Sequence, residues 1–374
     1  MSRPNDQELL DGVARNAGLV RDTIRFIHDH PELPHEEHRC SQHLMGTLRS
    51  LGLSVDSGLA GMETGFRANL AGAGPGRTVG IVALYDAVAS VPPEGGIKAV
   101  HSCGHGPIAG GVIGALAALA AHRETLSGNV VVMGCPADEI HAPGTVEHGS
   151  GKALSAAAGA WDDIDAAMYV HPEFIDTVSL ASLWMRRISA RVSGSRSLAE
   201  GAEHPPLDAT RLAVEAARAL PAGRGMLERL VLDGDVEAGG GLVAEMTFLI
   251  WAEDEAGLDA LAARLQDQLE AEWWDGATVS SIVPHAATTA AVAAAMRASG
   301  REFVADPPAL PFATDFGAVS RRVPSALIGV GRTDGWAFHT PQGERQFASE
   351  DGVSAALGMA QVLALSAARL AAKP

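Results

Sequence analysis

TVGIVAL, residues Thr78–Leu84, is a short run of aliphatic and β-branched residues with almost no polar interruption. Such a run reads as a strand buried on both faces. NVVVM (Asn129–Met133), Ala166–Val170 and SALIGV (Ser325–Val330) have the same character. Between the first two lies a Gly- and Ala-rich helical stretch, Pro107–His122. Strands that alternate with helices predict an α/β fold built on a mainly parallel sheet.

Outward from that centre, residues 8–30 and 38–51 have helical apolar spacing, and Leu51-Gly52-Leu53 is a helix stop. Asp351–Ala372 reads as a long closing helix. The texture changes after Trp184. MRRISARV (Met185–Val192) partly alternates like a strand, and a helix is expected over Leu207–Leu220. VAEMTFLIW (Val243–Trp251) is a second strand, with a helix over 254–271. That β-α-β-α unit predicts an inserted α+β domain over residues 186–290. Residues 1–185 and 291–374 would then form the main domain.

Composition sets outer limits. A chain of 374 residues exceeds what one core usually serves. Hydrophobic residues are 47% and charged residues 20%, so material for a large core is ample. A net charge of −17 repels polyanions, so neither nucleic acid nor an anionic membrane is expected as a partner. The start, MSRPNDQELLDG, lacks a basic segment followed by an apolar run, so no signal peptide is expected. The most apolar stretch, Gly110–Ala121, is too short to span a bilayer. Cys40, Cys103 and Cys135 are too few and odd in number for a disulfide framework; a cytoplasmic location is expected.

Four segments at strand ends concentrate metal-capable side chains, where open α/β sheets gather ligands. In His101-Ser102-Cys103-Gly104-His105, a thiol and an imidazole two residues apart can reach one metal, of the borderline-soft kind such as zinc. In Cys135-Pro136-Ala137-Asp138-Glu139, adjacent carboxylates can divide metal binding from proton handling. His171-Pro172 and His339-Thr340 complete the set. Each segment alone has an ordinary reading as a buried thiol, a surface acid pair or a structural histidine.

Together the segments resemble family twenty of the metallopeptidases, in its aminoacylase and aminobenzoyl-glutamate hydrolase branch. The matching motifs run in order: His28-Asp29-His30-Pro31-Glu32-Leu33 with Glu36-Glu37-His38, then Tyr85-Asp86-Ala87-Val88. His101–His105, Pro136–Glu139, Gly149–Lys152 and Asp165–Pro172 follow, and Thr314–Ser320 with His339-Thr340 close the series. The resemblance implies a dinuclear-metal, exopeptidase-like catalytic domain with an inserted lid through which homodimers form. It implies two divalent ions, zinc or manganese and in some cases cobalt, held by Cys103, His105, Glu139, His171 and His339. It implies cleavage of a small amide by a metal-bridging hydroxide, with Asp138 as the base and Asp86 orienting the metal framework. The substrate could be an N-acyl amino acid, a dipeptide-like molecule or an aryl amide. The alternatives are a non-catalytic metal-binding paralogue, or an altered hydrolase such as a deaminase on the same metals.

The departures concern the base and the lid. The family's Glu stands as Asp138, Gly106 replaces an Asp, Leu84 replaces an acid, and Ile140–His148 is inserted. The lid histidine aligns with Leu198, with His204 nearby, and a customary Arg aligns with Trp251. An apolar lid surface at Phe248-Leu249-Ile250-Trp251 would favour a neutral or aromatic amide. The alternative is a shifted lid register in which Arg186, Arg187 or Arg196 holds a substrate carboxylate.

Overall fold

A computed structural model describes residues 3–92, 95–194, 208–233, 242–332 and 334–372. The strands, in chain order, are β1 (Ser54–Ser57), β2 (Phe66–Ala71), β3 (Gly74–Ala83), β4 (Val88–Ser90), β5 (Lys98–Val100) and β6 (Ser127–Gly134). They continue as β7 (Ala166–Glu173), β8 (Trp184–Gly194), β9 (Gly225–Asp233), β10 (Leu242–Ala252), β11 (Glu272–Val279) and β12 (Ser325–Gly331). The chain divides into two compact units. One comprises Met1–Ala181, Ile282–Leu310 and Thr314–Pro374; the other is Ser182–Ser281 with Pro311–Ala313.

The first unit holds a six-stranded sheet ordered β1-β2-β6-β3-β7-β12. The pairs β3–β6, β3–β7 and β7–β12 are parallel, so the carboxyl ends of these strands share one side. The pairs β1–β2 and β2–β6 are antiparallel and cap one edge. The four strands read from TVGIVAL and its like are therefore the parallel part of the sheet, with β12 at its other edge. The capping strands are short and half-exposed, which leaves too little periodicity to read.

Residues 8–30 form two helices, Asp6–Arg15 and Ala17–Asp29, parted at Asn16. The helix His105–Ala121 is apolar on all sides because it is central, packed against both Ala17–Asp29 and Glu350–Ala371. The last of these is long and apolar enough to cross a membrane, but most of it is buried inside the fold.

The second unit is a four-stranded antiparallel sheet, β11-β8-β10-β9, with the helices Ala209–Ala219 and Glu255–Gln268. It has two strands more than expected, β9 and β11. Both lie at sheet edges and carry exposed polar positions that blur the alternation. The unit ends at Ser281 rather than at residue 290. The reason is local: Pro284 bridges Ser325, and His285 N–H donates to Ser325 O, which ties this segment to β12.

A second difference concerns the apolar surface expected at Phe248-Leu249-Ile250-Trp251. Phe248 and Ile250 are fully buried in the second unit's own core with Leu258 and Leu265. Strand alternation leaves Leu249 and Trp251 on the opposite face. Arg186 is committed to Thr278 and Asp259, and Arg187 to Glu228. Arg196, Leu198 and His204 lie outside the described residues.

Candidate metal centre

The parallel topology brings the chemistry together. Asp86 follows the carboxyl end of β3, Asp138 and Glu139 follow β6, and His171 lies in the last half of β7. Cys103 and His105 sit at the start of the central helix, whose N-cap Gly104 has φ +93°. A Cβ at Gly104 would also stand 2.5 Å from the Pro172 ring. Both constraints call for glycine between the two candidate ligands.

Cys103, His105 and Glu139 place one ligand atom each within 4.8 Å of one another. His105 is 1% exposed. Its Nδ1 lies 2.7 Å from the Asp86 carbonyl, which can only accept, so Nδ1 carries the proton. That directs Nε2 at Asp138 Oδ2, 3.4 Å away, and at Glu139 Oε1, 3.8 Å away. Asp86 Oδ2 also accepts the Glu139 backbone N–H at 2.9 Å. Asp86 thus orients His105 through its backbone carbonyl and the Glu139 backbone through its carboxylate, the kind of outer support that candidate metal ligands use.

His339 reaches the trio from the other end of the chain. Its Nε2 stands 3.9 Å from Glu139 Oε1, and its N–H donates to Ser102 O. Its backbone is left-handed, with φ +57°, a strained choice for a non-glycine residue. His171 lies outside the tight trio. Its Nδ1 is 3.1 Å from Glu173 Oε1 and its ring stacks on Phe338, beside His339.

Electrostatics select positive charge here. Burial opposes charge on His105, yet Asp86 and Asp138 hold its pKa well above the ordinary range. Burial pushes Glu139 up to about 7, against the pull of His105. Burial likewise raises the Cys103 thiol. His105 Nε2 and Glu139 Oε1 are buried and have no hydrogen-bond partner among the described residues. Once Nε2 gives up its proton, the two atoms would be Lewis-basic donors that a divalent cation satisfies together. The donor set of thiol, imidazole and carboxylate fits such an ion.

Three residues outside the expected set shape the site. Lys152, 0% exposed, forms ion pairs with Asp138 Oδ1 and with Asp315 Oδ1, the latter at 2.6 Å. Burial alone would raise the Asp138 pKa, but the Lys152 ammonium and His105 hold it well below the usual carboxylate range. Glu37, also fully buried, accepts the Ala137 N–H at 2.9 Å and the Thr64 hydroxyl at 2.8 Å. Ala137 has φ +55°, so Glu37 pins the strained residue just before Asp138. Burial and Asp86 push Glu37 up to about 8. Lys152, Asp315 and Glu37 all lie inside recognised motifs; what the motifs lacked was any sign that these side chains converge.

Residues 85–363 match the peptidase family M20/M25/M40. The chain belongs to that family. Among its relatives is one component of the p-aminobenzoyl-glutamate hydrolase of Escherichia coli (strain K12), 27% identical over 60% of this chain and 46% of that protein. The chain therefore spans less than half the length of that relative. Xaa-Arg dipeptidase of Mus musculus is 25% identical over 98% of this chain and 88% of that protein. Among solved structures, a dinuclear metal binding peptidase of the M20 family from Bacillus subtilis superposes with a TM-score of 0.70 at 17% identity, covering 96% of this chain and 99% of that one. At that identity the likeness concerns the fold.

Proposed function

We propose that this M20 family member is a metal-dependent amidohydrolase that cleaves a small amide. The observation that supports it best is the trio Cys103, His105 and Glu139, whose ligand atoms lie within 4.8 Å of one another, two of them buried and lacking any hydrogen-bond partner among the described residues. His339 and His171 would complete the holding set for two divalent ions, zinc, manganese or cobalt. Such ions would supply Lewis-acid polarisation and a water acidified toward neutrality.

The chain's own residues do the rest. Asp138 Oδ2 accepts a proton from the attacking water as the new C–O bond forms. It returns that proton to the amide nitrogen as the C–N bond breaks. Asp86 holds the His105 ring so that Nε2 stays directed at the site. Glu37 holds the Ala137 backbone, and so the point from which Asp138 projects.

The substrate we favour is a neutral or aromatic-bearing amide. Arg186 and Arg187 are already paired with acids inside the second unit, which leaves neither as a ready clamp for a free carboxylate. Hydrolysis of a panel of N-acyl amino acids and their carboxamides tests both statements. The expected result is chelator-sensitive cleavage, with the carboxamide cleaved at least as fast as the acid. No cleavage of any amide by metal-loaded protein would remove the activity. Faster cleavage of the free acid, lost on Arg187→Ala, would remove the specificity.

A homodimer joined through the second unit belongs to the same reading. Its edge strands β9 and β11 expose Met226, Leu232 and Trp274. Light scattering is expected to give twice the chain mass, and a strict monomer at high concentration counts against the pairing. A cytoplasmic location agrees with three free cysteines, and cell fractionation tests it.

A further inference from the structure

The buried Lys152 calls for an explanation that its surroundings supply. An ammonium removed from water costs several kcal/mol unless it is paired and hydrogen-bonded, and an apolar residue of the same volume would often serve stability as well. Lys152 is fully buried and lies over the Tyr169 ring, 5.4 Å from its centroid. It stands on the short helix Gly151–Ala157. A Cβ at Gly151 would meet Pro136 O at 2.0 Å, so the helix start lies hard against the loop that carries Asp138. On the far side, Asp315 pairs with Lys152 through Oδ1 and accepts the Ala153 N–H through Oδ2 at 2.8 Å. One carboxylate thus anchors the lysine head and the backbone beside it.

The consequence falls on Asp138. The terminal torsion of an aspartate is broad and roughly two-fold, so an unrestrained carboxylate presents either oxygen. Here Oδ1 is taken by Lys152, while Oδ2 stands 3.4 Å from His105 Nε2.

We propose that Lys152, anchored by Asp315, is a positioning residue that fixes the Asp138 carboxylate so that Oδ2 alone faces His105. The proposal rests on Asp138 as the base in the reading above. A shorter acid reaches its proton only from a narrow range of orientations, and Lys152 sets that orientation.

A double-mutant cycle tests it. Lys152→Met, Asp138→Asn and the double variant are loaded with metal and compared for kcat, KM, metal content and unfolding midpoint. If Lys152 acts through Asp138, Lys152→Met lowers kcat by roughly tenfold to a hundredfold, the scale of a misplaced catalytic group, with KM little changed. In the Asp138→Asn background the same change then costs less than about twofold, because residues acting as a unit are non-additive. Metal content stays level throughout. In a crystal structure of Lys152→Met, the Asp138 carboxylate is expected to turn away from its present orientation.

Removing the ammonium alone leaves two buried carboxylates uncompensated. The cycle is therefore repeated with Lys152→Met/Asp315→Asn in place of Lys152→Met, which removes one charge of each sign, and the same pattern is expected. Equal losses in both backgrounds, or an unchanged kcat on losing Lys152, overturn the proposal. Full activity in Asp138→Asn alone removes the base assignment itself, and that variant shows it separately.

Discussion

His105→Ala is expected to release bound metal and to lower hydrolysis by at least about a thousandfold, since several kcal/mol of metal-derived charge stabilisation is lost with the ion. His105 is the hub of the cluster. Its Nε2 faces both acids of the Asp138-Glu139 pair, and its Nδ1 is tied to Asp86. Removing the ring leaves three buried carboxylates without the group that shares their charge. Metal per chain, measured by plasma mass spectrometry, is expected to drop by at least one ion relative to the parent. The unfolding midpoint is to be compared with metal-free parent protein, so that loss of fold and loss of ligand are told apart. Full metal content in the variant would remove His105 from the ligand set.

Asp138→Asn is expected to separate metal binding from proton transfer. The amide keeps the shape of the acid and can still accept from Lys152, but it cannot take a proton from water. Hydrolysis should fall by about a hundredfold or more, the usual scale for a general base, while metal content barely changes. The two variants therefore carry opposite signatures. His105→Ala loses metal and rate together; Asp138→Asn loses rate alone. An Asn variant with parental kcat would exclude Asp138 from the mechanism.

Much of this was legible in the sequence because burial leaves a simple mark. Thr78–Leu84, Asn129–Met133, Ala166–Val170 and Ser325–Val330 are covered on both faces, so they appear as uninterrupted apolar runs. β2, β9 and β11 have positions partly open to water, and their mixed residues hide them. The candidate ligands were legible as motifs, since Cys103 and His105 must stand close in sequence to flank one glycine turn. The bracing residues were not. Lys152 meets Asp315 across 163 positions, and Glu37 meets Ala137 across 100. Their contacts depend on the finished topology rather than on any local spacing. Phe248 misled for a related reason: a strand's apolar set says that one face is covered, but not by what.

Anomalous diffraction from crystals of the metal-loaded protein, collected on both sides of the absorption edge of the bound element, tests the metal centre most directly. If Cys103, His105 and Glu139 form one centre with His339 and His171, two anomalous peaks will lie among these side chains, one of them between Cys103 Sγ, His105 Nε2 and Glu139. Metal-loaded protein whose peaks lie elsewhere, or which shows none at this cluster, would contradict the assignment.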